Sequence, residues 1–545
     1  MKKRAHQMGI CSNLTIVTAF AFARVCKFDD FPFMPHYNGI GNSAPNLKNM
    51  DKKMKIYDIV IIGGGVIGCM TARALSRYDL KILLIEKESD IGMGASSANS
   101  AIVHAGHDPM PGTLKAEMNR LANPMWDQVS ADLGIPFKRS GAYIVSIGEE
   151  EFGCLAALKE RAQKNGVKAE IIGADEIKKR EPLINPQASG ALFTPTAGMV
   201  DPFAACVASI ENAIQNGVDV LTETAFTGFI LEGINITGVH TTRGDFSCRW
   251  VVNAAGTSSD EVMHLANVRP EFKIQPRRGE YYLLDKTEIQ MEHILFPVPS
   301  EVSKGILVLG STHGNVLVGP NSQPAEDKED KSVTSEGLAE IWQGAQKLVP
   351  SIHPRSIIAV FAGMRATGNA PCTTSGVDYH HDFLIERSSV VDGLINLAGI
   401  ESPGLTAAPA IAERVVELLE DGGEKLTEKP NWNPFRVARP RFNHLSRQEQ
   451  AALVKKDPRY GRIVCRCEMI TEGEIVAEIH APLPARTYDA IKRRTWLGTG
   501  RCLGSFDMPR VVDILSRELE LPVTSISKKG AGSEFLLRPT KKVEG

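Results

Sequence analysis

The sequence predicts an α/β fold. It reads as a Rossmann-like dinucleotide-binding domain with an inserted antiparallel-sheet domain, followed by a small, mainly helical C-terminal unit with cysteines. Three observations lead there. Residues 57–68, YDIVIIGGGVIG, run an apolar strand into three spaced glycines. Two later segments, WVVNAAGTSSDEV at 250–262 and GLINLAGIESPGLTAAPAIAERVVELL at 393–419, again lead a strand through a glycine turn into a helix. Beyond a stretch rich in Pro, Arg and Asn, residues 461–525 hold Cys465, Cys467 and Cys502.

The first element is a βαβ unit. After the glycines comes an Ala-rich helical pattern, CMTARALSRY, then a second strand, KILLIE, that ends on Glu86. Gly63 suits the tight turn, Gly65 a close approach of backbone to a pyrophosphate, and Gly68 the packing of helix on strand. The helix N-terminus favours phosphate charge, and Glu86 is placed to accept hydrogen bonds from ribose hydroxyls. This motif alone does not separate NAD from FAD. The two returns do, because they bring Gly256, Gly399, Gly404 and Leu405 back to the same sheet. A helix starting at 404–406 would aim its positive end at the pyrimidine edge of a flavin, where reduction places negative charge. Ser97, Asn99 and Ser100 offer short polar groups for the pyrophosphate or flavin, or as helix caps.

Between the returns, the sequence predicts a helix at 194–217, entered from a turn. IQPRRGEYYLLDK, GILVLGSTHGNVLVGP and SIIAVFAGMRA carry β-branched and alternating apolar runs. These suit an antiparallel substrate domain covering the flavin. The expected order is an N-terminal extension at 1–54, the oxidoreductase body at 55–425 and a linker at 426–460. The cysteine unit at 461–525 and a basic tail at 526–545 complete it. Residues 1–54 open on MKKR and contain LTIVTAFAFA, which also resembles an export signal. An extension or upstream start is the preferred reading, because Thr interrupts the apolar run.

Global properties narrow the class. The chain has 545 residues, too long for one core. Its net charge of −2 argues against bulk nucleic-acid binding. No apolar run is long enough for a membrane span. Seven thinly spread cysteines (Cys11, Cys26, Cys69, Cys154, Cys206, Cys248, Cys372) have no ligand spacing and suit a reducing compartment. A cytoplasmic location, or a peripheral one at the inner face of the membrane, is the expectation.

The body resembles the D-amino-acid-oxidase-like FAD oxidoreductases. Within them it is most similar to the large subunit of anaerobic glycerol-3-phosphate dehydrogenase, with L-2-hydroxyglutarate dehydrogenases close by. The residues that carry the resemblance include IIGGGVIG, SSANSAIVHAGHDPMPGTLKAEM (96–118), RRGEYYLLD (277–285), FAGMRA (361–366) and AGIESPGLTAAPAIAE (398–413). It implies non-covalent FAD and oxidation of a C–OH or C–N bond by hydride transfer. It also implies that Arg365 holds a small anionic substrate, as a planar guanidinium can in bidentate fashion. His104 and His107 are placed near the flavin, where a histidine takes the hydroxyl proton or fixes the cofactor loop. His313 is a weaker candidate.

The C-terminal unit resembles the bacterioferritin-associated-ferredoxin-like [2Fe–2S] domain. Cys465 and Cys467 form a C-x-C, and Cys502 follows. The family pattern ends C-x4-C, but the last position here is Asp507. That leaves three readings: a [2Fe–2S] cluster with Asp507 near it, no metal, or zinc on three Cys and one Asp. The alternative role for Asp507 is to favour the helix start at Pro509 and nothing more, and Thr471 with Glu474 predicts a capping box. The leading function is a dehydrogenase of sn-glycerol 3-phosphate or a similar anionic hydroxy compound, passing electrons on to another subunit or a quinone. A hydroxy-acid or amino-acid oxidoreductase is the alternative, and a non-catalytic FAD electron-transfer subunit is the reading of a different class.

Overall fold

Four short apolar segments, IVII, ILLI, WVVN and LINLA, are buried end to end. Such continuous runs belong in a parallel sheet covered on both faces. In the computed structural model, which describes residues 55–266, 272–299, 305–368 and 382–538, they form the heart of a six-stranded sheet. The strand order is Asp219–Leu221, Ile82–Ile85, Ile59–Ile62, Trp250–Asn253, Leu394–Ala398 and Leu384–Arg387. All neighbours are parallel except the last pair. Both predicted returns therefore join the sheet, Trp250–Asn253 beside Ile59–Ile62 and Leu394–Ala398 next to it. The expectation for residues 1–54 lies outside the described residues, as do Cys11, Cys26 and Cys372.

Alternate residues of these strands enter two cores, as the two-residue period requires. Ile59, Ile61, Leu84, Val252 and Leu397 meet the helices Val66–Leu75, Leu114–Leu133, Pro202–Gln215 and Gly404–Asp421. Val60, Ile62, Leu83, Ile85 and Val251 meet Phe229, Val239 and Phe246 of a small four-stranded sheet that the sequence reading did not foresee.

The inserted domain is a nine-stranded sheet. Arg277–Leu284 pairs antiparallel with Ile357–Arg365 and Val316–Val318, as expected. One pair departs from the antiparallel expectation: Ile294–Pro297 runs parallel to Ala142–Ile147. Ile341, Ala345 and Leu348 of helix Ser335–Leu348 cover one face. Leu155, Leu158 and Ala162 of helix Gly148–Lys164 cover the other.

The predicted linker is not plain coil. It contains the helix Arg447–Lys456, opened by a Ser446–Glu449 capping box. Low apolar content hid it, since none of its residues is buried. The C-terminal unit has its own core around Ile475, Ile491, Val511 and Leu515 on three helices. The Thr471–Glu474 capping box is present. Among the described residues no helix is long and apolar enough to cross a membrane.

Candidate active site and C-terminal cysteine site

Strands Ile59–Ile62 and Trp250–Asn253 lie side by side, and past their C-terminal ends opens a cavity of about 780 Å³. That is where open α/β sheets bind ligands, and the volume is ample for a large cofactor. Gly63 turns here with φ +104, and a Cβ on it would stand 2.5 Å from the Ala254 carbonyl oxygen. A Cβ on Gly68 would stand 2.0 Å from the Gly63 oxygen, so Gly68 serves helix packing and does not line the cavity. Gly65 does line it. The only atom near its imagined Cβ is Ser96 Oγ at 3.3 Å, so the protein leaves that side open. This is a cradle fit for a pyrophosphate.

Glu86 lines the cavity as predicted. Its carboxylate accepts from the backbone N–H of Gly64 at 2.7 Å and of Glu88 at 2.9 Å, which fixes its orientation at the strand end. Burial raises its pKa. Asn99, Ser100, Gly256, Gly404 and Leu405 also line the cavity. Ser97 does not: its hydroxyl bonds back to the carbonyls of Met93 and Gly94 within a short 3₁₀ turn. Ser96 takes its place, accepting the N–H of Val66 at the helix start at 3.0 Å. Gly399 is not among the lining residues, although Leu397 and Ile400 on either side are. It sits at φ +65 behind the wall, with Gly368 packed against it.

The far side of the cavity is basic. Arg365 lines it and donates to Asn321 O at 2.8 Å and Ser322 Oγ at 3.3 Å. Arg277 stands in register with Arg365 on the neighbouring strand, lines the same cavity and donates to Ser322 Oγ at 2.9 Å and Ser322 O at 3.1 Å. Among the described residues neither guanidinium is paired with a carboxylate. The sequence reading missed Arg277, although strand pairing with FAGMRA was the signal that could have found it. Tyr281 is also a missed lining residue, buried beside Ser100 and stacked on Phe361. Glu401 lines the cavity in a half-buried pair with Lys115 at 2.7 Å, and Thr367 donates to it at 2.7 Å. Burial acts to raise the Glu401 carboxyl, but Lys115, Thr367 and Arg365 outweigh it and hold it low.

His104 reaches the main cavity and His107 does not. The His104 backbone is pinned: its N–H donates to Thr406 Oγ1 at 2.9 Å, and its carbonyl accepts from Asn119 and Asn123. Ser402 Oγ lies 3.4 Å from its Nε2. His107 is buried in a small recess shared with His104, against Phe296. His313 belongs elsewhere. Its Nε2 meets Asp201 at 3.0 Å and its ring lies on Trp496, 3.8 Å between centroids. It is part of the seat of the C-terminal unit.

That seat is ionic. Arg494 makes two bonds to Asp90, at 2.7 and 2.8 Å, and Arg493 adds a third at 2.7 Å. Trp496 Nε1 donates to Asp201 at 3.0 Å. Lys286 pairs with Glu468 at 2.7 Å, and Arg501 pairs with Asp285. The last two contacts sit next to Cys467 and Cys502.

The cysteines fall into two pairs of donors. Cys467 and Cys502 bring their sulfurs 3.6 Å apart near the surface. Cys465 is buried and faces Asp507, with the Gly498 N–H 3.5 Å from its sulfur. Burial, aided by the Asp507 carboxylate, pushes the Cys465 thiol up to about 11. Two donor pairs suit a two-iron cluster. A single ion needs its donors around one point, and among the described residues no group of three or more His, Cys, Asp or Glu is gathered that way.

Two family models match the chain. Residues 58–418 match the DAO family, FAD dependent oxidoreductase, and residues 463–517 match the BFD-like [2Fe-2S] binding domain. The chain is 41% identical over 488 residues to a glycerol 3-phosphate dehydrogenase of Caloramator mitchellensis, covering 89% of this chain and 99% of that one. It is 31% identical over 280 residues to the L-2-hydroxyglutarate dehydrogenase of Escherichia coli K12, covering 50% of this chain and 66% of that one. Among solved structures, the dithionite-reduced L-alpha-glycerophosphate oxidase of Mycoplasma pneumoniae with FAD bound superposes with a TM-score of 0.66 at 33% identity. It covers 71% of this chain and 100% of that one. With the family model spanning most of the chain and the glycine cradle in place, this protein belongs to the DAO family of FAD-dependent oxidoreductases.

Proposed function

We propose that the protein is a dehydrogenase of sn-glycerol 3-phosphate or a close anionic hydroxy compound. Its electrons leave through the C-terminal cysteine unit. The observation that carries the reading is the Arg277–Ser322–Arg365 cluster, two unpaired guanidinium groups facing one cavity with His104. Two cations suit a phosphate dianion, which carries more charge than a carboxylate. The Caloramator relative and the Mycoplasma oxidase both act on such a substrate by name.

The chain's residues divide the work. Arg365 and Arg277 hold the anion and so orient the carbinol carbon. His104 takes the hydroxyl proton as the carbon loses hydride, leaving a carbonyl. FAD, when bound in the cavity, supplies the hydride acceptor. Lys115 keeps Glu401 charged beside the site, which leaves the arginines as the net attraction for the substrate. Residues 55–425 form the oxidoreductase body in this reading, and residues 461–525 the electron-transfer unit. The relative matched over 89% of this chain is named a dehydrogenase, and the one matched over 71% an oxidase. Strand Arg277–Leu284 links the two sites. Tyr281 lines the cavity, and Asp285, about 13 Å along the strand, holds Arg501 beside Cys502. The electron acceptor is a separate subunit or a quinone.

The test is anaerobic flavin bleaching with glycerol 3-phosphate, L-2-hydroxyglutarate and amino acids. Rapid bleaching by glycerol 3-phosphate alone is expected, and bleaching only by a carboxylate substrate would reassign the enzyme. Arg365→Ala should cost on the order of 2–5 kcal/mol in kcat/KM with FAD content unchanged. Unaltered kinetics would return Arg365 to a structural role.

A further inference from the structure

Asp507 stands where the domain's pattern has its last cysteine, and its surroundings do not explain it as a helix cap. It precedes helix Met508–Leu519, yet its side chain makes no capping bond. It is 1% exposed. One carboxylate oxygen, Oδ1, accepts the Tyr488 hydroxyl at 2.7 Å. The other, Oδ2, is buried with no hydrogen-bond partner among the described residues. A buried carboxylate oxygen left so is costly unless something binds it. Cys465 faces the same group; Cys467 lies two residues beyond Cys465 and Cys502 five residues before Asp507, with their two sulfurs 3.6 Å apart.

The tyrosine is built in. A Cβ on Gly498 would stand 2.5 Å from the Tyr488 hydroxyl, and one on Gly504 would stand 2.2 Å from it. Both glycines have left-handed backbones, φ +69 and +85. The two loops thus close over the hydroxyl only because they lack side chains there. Gly500 plays the same part beside Cys467, where a Cβ would lie 2.6 Å from the cysteine's own.

We propose that Asp507 is the fourth ligand of a [2Fe–2S] centre completed by Cys465, Cys467 and Cys502, with Tyr488 as the residue that aims its carboxylate. Asp507 and Cys465 form the buried donor pair, and Cys467 and Cys502 the exposed one. Tyr488 leaves Oδ2 as the oxygen free for iron. A carboxylate is a harder ligand than a thiolate and favours ferric iron. The centre should therefore be harder to reduce than an all-cysteine one, and the Tyr488 hydrogen bond offsets part of that by drawing charge from the ligand. This rests on the reading of the C-terminal unit as a cluster-bearing unit.

The test uses the full-length protein purified without oxygen, with FAD content as the check on folding. Wild type should hold about two iron and two sulfide per chain and show a paramagnetic signal after reduction. Asp507→Asn should retain on the order of tenfold less of both, by loss of a ligand. Asp507→Cys should retain the cluster with a changed spectrum. Tyr488→Phe should keep the cluster but lower its midpoint potential, and an unmoved potential would overturn the role of Tyr488. Asp507→Asn with full iron and the wild-type spectrum would overturn the ligand while leaving the cluster in place. Iron in Asp507→Cys but not in wild type would also overturn it. Normal FAD with no iron in either protein would defeat the cluster reading itself, and the ligand with it.

Discussion

Gly65→Val is expected to give a folded protein that has lost its FAD. The three glycines of the motif are not equivalent. Side chains at Gly63 or Gly68 would strike the protein's own backbone, at 2.5 and 2.0 Å, so those variants test folding. Gly65 has an ordinary φ of −73 and only the Ser96 hydroxyl nearby. The valine would occupy the space meant for the pyrophosphate and nothing else. Affinity should fall by on the order of 100-fold, about 2.7 kcal/mol. Released-nucleotide analysis together with far-ultraviolet circular dichroism reads both halves of the expectation. A yellow Gly65→Val protein would mean that the cofactor lies elsewhere.

The second large effect is at Asp90. Its carboxylate is almost completely buried and receives Arg494, which is 1% exposed, and Arg493. Asp90→Ala leaves Arg494 charged with only the more distant Glu478, 3.9 Å away, a loss that costs up to about 3–5 kcal/mol in buried pairs. The C-terminal unit should loosen first, seen as faster proteolysis near 426–460. The pair also sets an acid limit. Burial works to raise the Asp90 carboxyl, but the two arginines prevail and hold it down to about 2. Its folded pKa lies below the unfolded value of about 3.9. The stabilisation is thus complete above pH ~4 and fades as pH falls towards ~2. In Asp90→Asn that part of the acid sensitivity should be missing.

The parallel sheet was legible because its strands are uninterrupted apolar runs ended by glycines, and the βαβ order leaves few alternatives. The cavity glycines, Glu86, His104 and Arg365 followed from that frame and from the family resemblance. Ser97 failed against Ser96 because a one-residue choice within a serine pair depends on a 3₁₀ turn that no periodicity announces. Arg277 was hidden because strand register, which sets it against Arg365, is a property of pairing and not of either strand. His313, the weaker candidate, packs on Trp496, which lies 183 positions away in sequence, a contact that no local pattern announces. The four-stranded sheet escaped for a related reason: its strands alternate buried and exposed residues weakly, and Phe226–Glu232 buries only the adjacent Gly228 and Phe229.

Asp201 has a consequence for how the molecule melts. One oxygen caps helix Pro202–Gln215 through the N–H groups of Phe203 and Ala204. The other accepts His313 and Trp496, so a single carboxylate belongs to the helix layer, the inserted sheet and the last unit at once. Peeling off the C-terminal unit would take the Trp496 partner from a carboxylate 2% exposed at the root of a core helix. Heat should therefore undo the chain in one cooperative transition, with calorimetric and van't Hoff enthalpies in agreement, although its composition reads as several domains.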